Sequence, residues 1–80
     1  MATKSQHASA YLRLPAFLRT LREEAKLTQR DLGKRLKKPQ SWIFNCESSN
    51  RRVDLTEFIA WAKGCHVDPK EAFARFLHVA

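Results

Sequence analysis

Between Gln29 and Glu47 the chain reads QRDLGKRLKKPQSWIFNCE, and the groups there that can engage another molecule are carboxamides and cations. Gln29, Gln40 and Asn45 can each donate and accept hydrogen bonds at once. From residue 28 to residue 52, seven cations (Arg30, Lys34, Arg35, Lys37, Lys38, Arg51 and Arg52) oppose two acids (Asp31 and Glu47), a local balance of +5. Such a set suits a polyanion and offers no machinery for breaking bonds. His7, His66 and His78 lie in unrelated segments. No Ser/His/Asp or Cys/His set, carboxylate pair or phosphate-binding loop accompanies them, so neither enzymatic activity nor a cofactor or metal is expected.

The whole chain carries the same bias, with 15 Lys and Arg against 8 Asp and Glu and a net charge of +7 over 80 residues. That balance points to nucleic acid or anionic lipid. A chain this short forms one domain, and a core of this size removes only about 60% of the unfolded surface from water. No apolar run approaches the roughly 18 residues of a membrane span, and the N-terminus lacks the apolar stretch of a signal peptide. A cytoplasmic location is therefore expected. A helix lying on a membrane is disfavoured too, because the basic residues are not segregated against a broad exposed apolar face. Cys46 and Cys65 fall inside apolar-periodic segments and read as buried thiols rather than as a disulfide or zinc site.

Five short helices must position these groups. Apolar residues recur at helical spacing as Leu14, Phe17, Leu18, Leu21, then Leu32, Leu36, then Leu55, Phe58, Ile59, Ala62, then Ala72, Phe73, Phe76, Leu77. Three helix starts are marked by a side-chain acceptor followed three residues later by an acid: Thr28 and Asp31, Asp54 and Glu57, Asp68 and Glu71. Pro69 suits a first helical position, and Pro15 and Pro39 are read the same way. The expected helices are about 15 to 25, 28 to 36, 39 to 47, 54 to 64 and 69 to 77. Residues 1 to 11, MATKSQHASAY, are small, polar and without period; they read as a flexible arm ahead of a domain over 12–80.

The second and third helices are separated by too little chain for an antiparallel hairpin, and that spacing suits a helix-turn-helix. Close crossing requires a small residue on the first of the pair, which Gly33 supplies. Leu32, Leu36, Ile43 and Cys46 then face inward and leave the opposite side of the second helix outward. In LTQRDLGKRL at 27 to 36, QSWIFNCESSNRR at 40 to 52 and DLTEFIAWAKGCHVDPKEAF at 54 to 73, the chain resembles the Cro/lambda-repressor family of helix-turn-helix domains, the XRE type, over about Leu18 to Leu77.

The resemblance implies an all-α, compact five-helix lambda-repressor-like domain that binds double-stranded DNA. It places Gln40, Ser41, Phe44 and Asn45 on the face of a recognition helix laid in the major groove. Gln40 and Asn45 are the side chains expected at base edges, since a carboxamide matches adenine N6 and N7 in one bidentate contact. Gln29, Lys38, Arg51 and Arg52 are expected at phosphates, which fix the protein on the backbone without reading sequence. Arg22 and Glu47 match positions that in relatives form a partly buried ion pair tying the first helix to the end of the recognition helix.

The chain departs from the family's usual pattern in the turn, where Lys37 stands in place of Gly and Lys38 in place of an apolar residue. An altered turn is therefore expected. His66 occupies a usual helix-ending Gly position and reads as a structural cap. Phe44 has two readings, contact with a thymine methyl or packing against Trp42 or another protein, while Trp42 itself reads as packed at the helix edge. The leading functional expectation is a bacterial or phage transcription regulator, a repressor, binding as a homodimer to a palindromic site. The alternative is a protein-interaction module or antitoxin-like adaptor that docks a protein partner through Trp42 and Phe44 and reads little DNA sequence.

Overall fold

A computed structural model describes the backbone of residues 2–80 and the side chains of residues 11–80. The chain forms five helices in succession, α1 (Ala2–Glu24), α2 (Gln29–Leu36), α3 (Gln40–Glu47), α4 (Leu55–Gly64) and α5 (Pro69–Val79). Local chemistry sets most of the starts. The Thr28 hydroxyl accepts from the Asp31 amide and the Asp31 carboxylate from the Thr28 amide, each at 3.0 Å. Asp54 and Glu57 reciprocate in the same way at 2.8 and 3.0 Å. These pairs satisfy amides that the first turn of a helix leaves without partners. At α5, Asp68 accepts from the Lys70 amide at 2.9 Å, with Pro69 in the first helical position.

The first helix corrects the sequence reading. It begins at Ala2 and carries Pro15 in its interior, so the backbone of residues 2–11, expected as an arm, is part of α1. Proline at this point removes one hydrogen bond to the Tyr11 carbonyl. Nothing else in residues 2–14 breaks a helix, and buried Pro15 packs where the core begins. Of that stretch, the side chains of residues 1–10 lie outside the described residues, so contacts of theirs with DNA or a partner do too. Pro39 is likewise not the first residue of α3 but its N-cap, in extended conformation.

The helices enclose one core in which Leu18, Leu21, Leu32, Ile43, Cys46, Trp61 and Ala62 are fully buried. Trp61 stands at its centre, its indole donating to the Leu18 carbonyl at 3.0 Å. Burial pushes the Cys65 thiol up to about 11 and raises that of Cys46, so both behave as small apolar side chains. Some residues of the expected apolar stripes stand outside this core, Leu55, Phe73 and Leu77 being 66%, 48% and 60% exposed. Helical period identifies a face, and on α4 and α5 part of that face has no further layer over it.

Four helices end through a non-glycine residue in the left-handed region, Lys26, Lys37, Ser49 and His66, with φ between 57° and 66°. Lys37 holds the conformation that the turn between α2 and α3 needs, φ 57° and ψ 45°, so the lysine does not alter the turn as expected. The left-handed conformation costs an L-residue about 1 to 2 kcal/mol, part of which a glycine returns through its looser unfolded state. Lys37→Gly is thus expected to stabilise the fold by about 0.5 to 1 kcal/mol, raising Tm by roughly 2 to 8 °C in a scan followed by circular dichroism.

Candidate nucleic-acid interface

Helices α2 and α3 meet at Gly33. A Cβ there would lie 2.7 Å from the Lys38 carbonyl oxygen, a backbone atom with no room to yield. The same residue's carbonyl accepts from the Lys38 amide at 2.8 Å, closing the turn that delivers the chain to α3. With Ile43 and Cys46 turned inward, the opposite side of α3 must face out. Gln40, Ser41 and Phe44 are exposed on it, and Asn45 is half-buried with its Oδ1 accepting from Asn50 at 3.4 Å. Phe44 stays half exposed and does not turn in beside Trp42, which packs on Trp61.

A chain of hydrogen bonds links this face to the interior. Arg22 grips Glu47 through Nε and Nη2 at 2.6 and 3.0 Å, and its Nη1 donates to the Leu27 carbonyl at 2.8 Å. The two side chains are 11% and 4% exposed, so the pair lies almost entirely inside the protein. Its hydrogen bond to Glu47 holds the Arg22 pKa above the ordinary value. Gln29 donates to Glu47 at 3.1 Å and accepts from Gln40 at 3.1 Å. A carboxylate only accepts, so Gln29 turns its NH2 to Glu47 and its oxygen to Gln40. Among the described residues Gln40 is left with a free carbonyl oxygen and one free N–H, the pair an adenine edge requires.

The expected cations divide into two kinds. Lys38 and Arg52 are exposed. Arg51, expected beside Arg52 at phosphates, makes two hydrogen bonds to Glu57 at 2.9 and 2.8 Å and lies 4.8 Å from the centre of the Trp42 ring. Lys38 also lies over Trp42, at 5.1 Å. Gln29, with Lys26, Arg30 and Gln40, lines an open recess at the start of α2. Sequence reasoning missed the ion pair of Glu57 because that residue read as a helix cap, and the acid in fact serves both the Asp54 amide and Arg51.

The capping and bridging acids give a pH dependence of known sign. Asp31 is held below its ordinary 3.8 by the Thr28 amide and hydroxyl, and Asp54 by the Glu57 amide and the Thr56 hydroxyl. Arg51 holds Glu57 below its ordinary 4.5. A carboxylate depressed on folding stabilises fully above its unfolded value and loses that contribution as pH falls through the folded one. Tm is expected to hold steady from neutral pH down to about 4.5 and then to fall, less steeply in Glu57→Gln.

Two contiguous helices with a tight turn between them, the second turned outward in a cationic surround, define a helix-turn-helix protein. Residues 13–77 match the sequence pattern of the helix-turn-helix domain. A solved structure of an XRE-family like protein from Pseudomonas syringae pv. tomato str. DC3000 is similar at 33% identity, with TM-score 0.89 over 99% of this chain and 96% of that one. The comparison with curated proteins finds no match. The chain belongs to the XRE-type helix-turn-helix family. Membership supports DNA-binding regulation as its general class, and among the described residues no helix is long and apolar enough to cross a membrane.

Proposed function

We infer that this protein is a cytoplasmic, sequence-specific regulator of transcription, a repressor, that lays α3 in the major groove of double-stranded DNA. The observation that carries the reading is the outward carboxamide of Gln40, oriented through Gln29 from the buried Glu47. Gln40 and Asn45 read base edges, with Ser41 and Phe44 beside them, Phe44 against a thymine methyl. Lys38, Arg52 and Gln29 hold phosphates, and Arg51 stands behind them as part of the same cationic loop. The protein acts as a homodimer on a palindromic site, which two-fold symmetry would require. The exposed Leu55 and Phe73, beside a groove lined by Leu14, Val53, Phe58 and Phe76, support a self-associating face.

Selection of bound duplexes from a random pool tests this reading. A single enriched palindrome is expected, with affinity falling steeply as salt rises. Gln40→Ala and Asn45→Ala should each cost about 1 to 3 kcal/mol, roughly five- to 150-fold in affinity, confined to discrimination at one base pair. The half-exposed Phe44 favours a second reading, in which α3 docks a protein partner as an antitoxin-like adaptor. Weak, sequence-blind DNA binding with no enriched site would favour it over the first.

A further inference from the structure

Tyr11 has no part in the DNA-contacting set of α2 and α3, yet the fold brings it to the loop of residues 48–54. Its hydroxyl donates to the Arg51 carbonyl at 3.3 Å, and the Arg52 guanidinium lies 4.9 Å from its ring centre. The Arg51 side chain in turn donates to the Arg52 carbonyl at 2.7 Å while it grips Glu57. The two peptide groups that flank the Arg52 Cα are therefore both held, one by Tyr11 and one by Arg51. The Arg52 side chain is nonetheless exposed, and a guanidinium carries five N–H donors, more than one aromatic contact can occupy. A group so placed can grip a phosphate through two parallel hydrogen bonds.

We propose that Tyr11 is a positioning residue that holds exposed Arg52 ready for a backbone phosphate, with Arg51 as the internal brace of the loop. This rests on the DNA-binding reading. Two neighbouring arginines thereby take separate roles, Arg52 meeting the nucleic acid while Arg51 does not. The N-terminal part of α1 also becomes a component of the interface without having to touch DNA.

A double-mutant cycle between Tyr11→Ala and Arg52→Ala on a duplex of fixed sequence tests it. Arg52→Ala is expected to reduce the slope of log affinity against log salt by about one phosphate contact. Tyr11→Ala is expected to weaken binding roughly two- to fivefold, the strength of an exposed cation–π contact, and to cause no further loss once Arg52 is gone. Tyr11→Phe keeps the ring and should restore most of the affinity. Additive losses in the cycle, or a Phe variant that binds as poorly as the Ala variant, would overturn the assignment. Trypsin cleavage after Arg52 in the free protein gives a second readout, several-fold faster in Tyr11→Ala if the loop is pinned and unchanged if it is not. Wild-type protein that binds no duplex at all would sink the parent reading and the phosphate role together. An unchanged cleavage rate with normal wild-type binding would sink only the role of Tyr11.

Discussion

Replacing Arg22 by Met is expected to lower the unfolding free energy by about 3 to 5 kcal/mol, enough to threaten folding of a domain this small. The cause is the carboxylate left behind. The Glu47 side chain is 4% exposed and accepts from two of the three donating Arg22 nitrogens, so without the guanidinium a buried charge keeps, among the described residues, only its bond from Gln29. Glu47→Leu leaves the converse problem, an arginine whose remaining partner is the Leu27 carbonyl. Removing both ends removes both unpaired charges, and the double variant should be more stable than either single one. Urea unfolding of the three variants measures this directly. A single-variant loss below about 1 kcal/mol would place the pair with exposed salt bridges, whose typical worth is of that order, and would contradict its burial.

Trp61→Ala is the other large effect, expected at about 3 to 5 kcal/mol. The side chain is wholly buried, tilts against Trp42 at 6.2 Å and donates to α1 at Leu18. Its loss opens a cavity at the point where α1, α3 and α4 come together. Trp61→Phe keeps much of the apolar volume and forfeits the hydrogen bond, for a loss of roughly 1 to 2 kcal/mol. Unfolding followed by far-ultraviolet circular dichroism ranks the two, since the indole that fluorescence would report is itself being changed. If Ala and Phe proved equally costly, the hydrogen bond rather than the volume would dominate.

These two sites mark how far sequence reasoning reaches. Thr28 with Asp31 and Asp54 with Glu57 were legible because a cap is an exchange among residues three apart. Gly33 was legible as a close crossing, and Arg22 with Glu47 only through resemblance to relatives, since 25 residues separate them. Trp61 went unremarked because it lies beside the stripe of Phe58, Ile59 and Ala62, and nothing local says that α1 offers it a carbonyl. Pro15 misled for a physical reason: a proline is far more often a helix start than an interior residue. Arg51 and Arg52 are indistinguishable in the sequence. What separates them is Glu57 on one side and Tyr11 on the other, and only the folded chain brings those two together.

The link from Glu47 through Gln29 to Gln40 bears on more than the choice of base. A free glutamine on a helix surface samples many rotamers, and a partner that seizes it must quench that freedom, at about 0.5 to 1.5 kcal/mol for a side chain of this length. Gln40 is already tethered, so folding has done most of the quenching in advance. Whatever the outward face of α3 meets, it meets at Gln40 a side chain already held in place, and more of that contact's gross strength survives as net affinity.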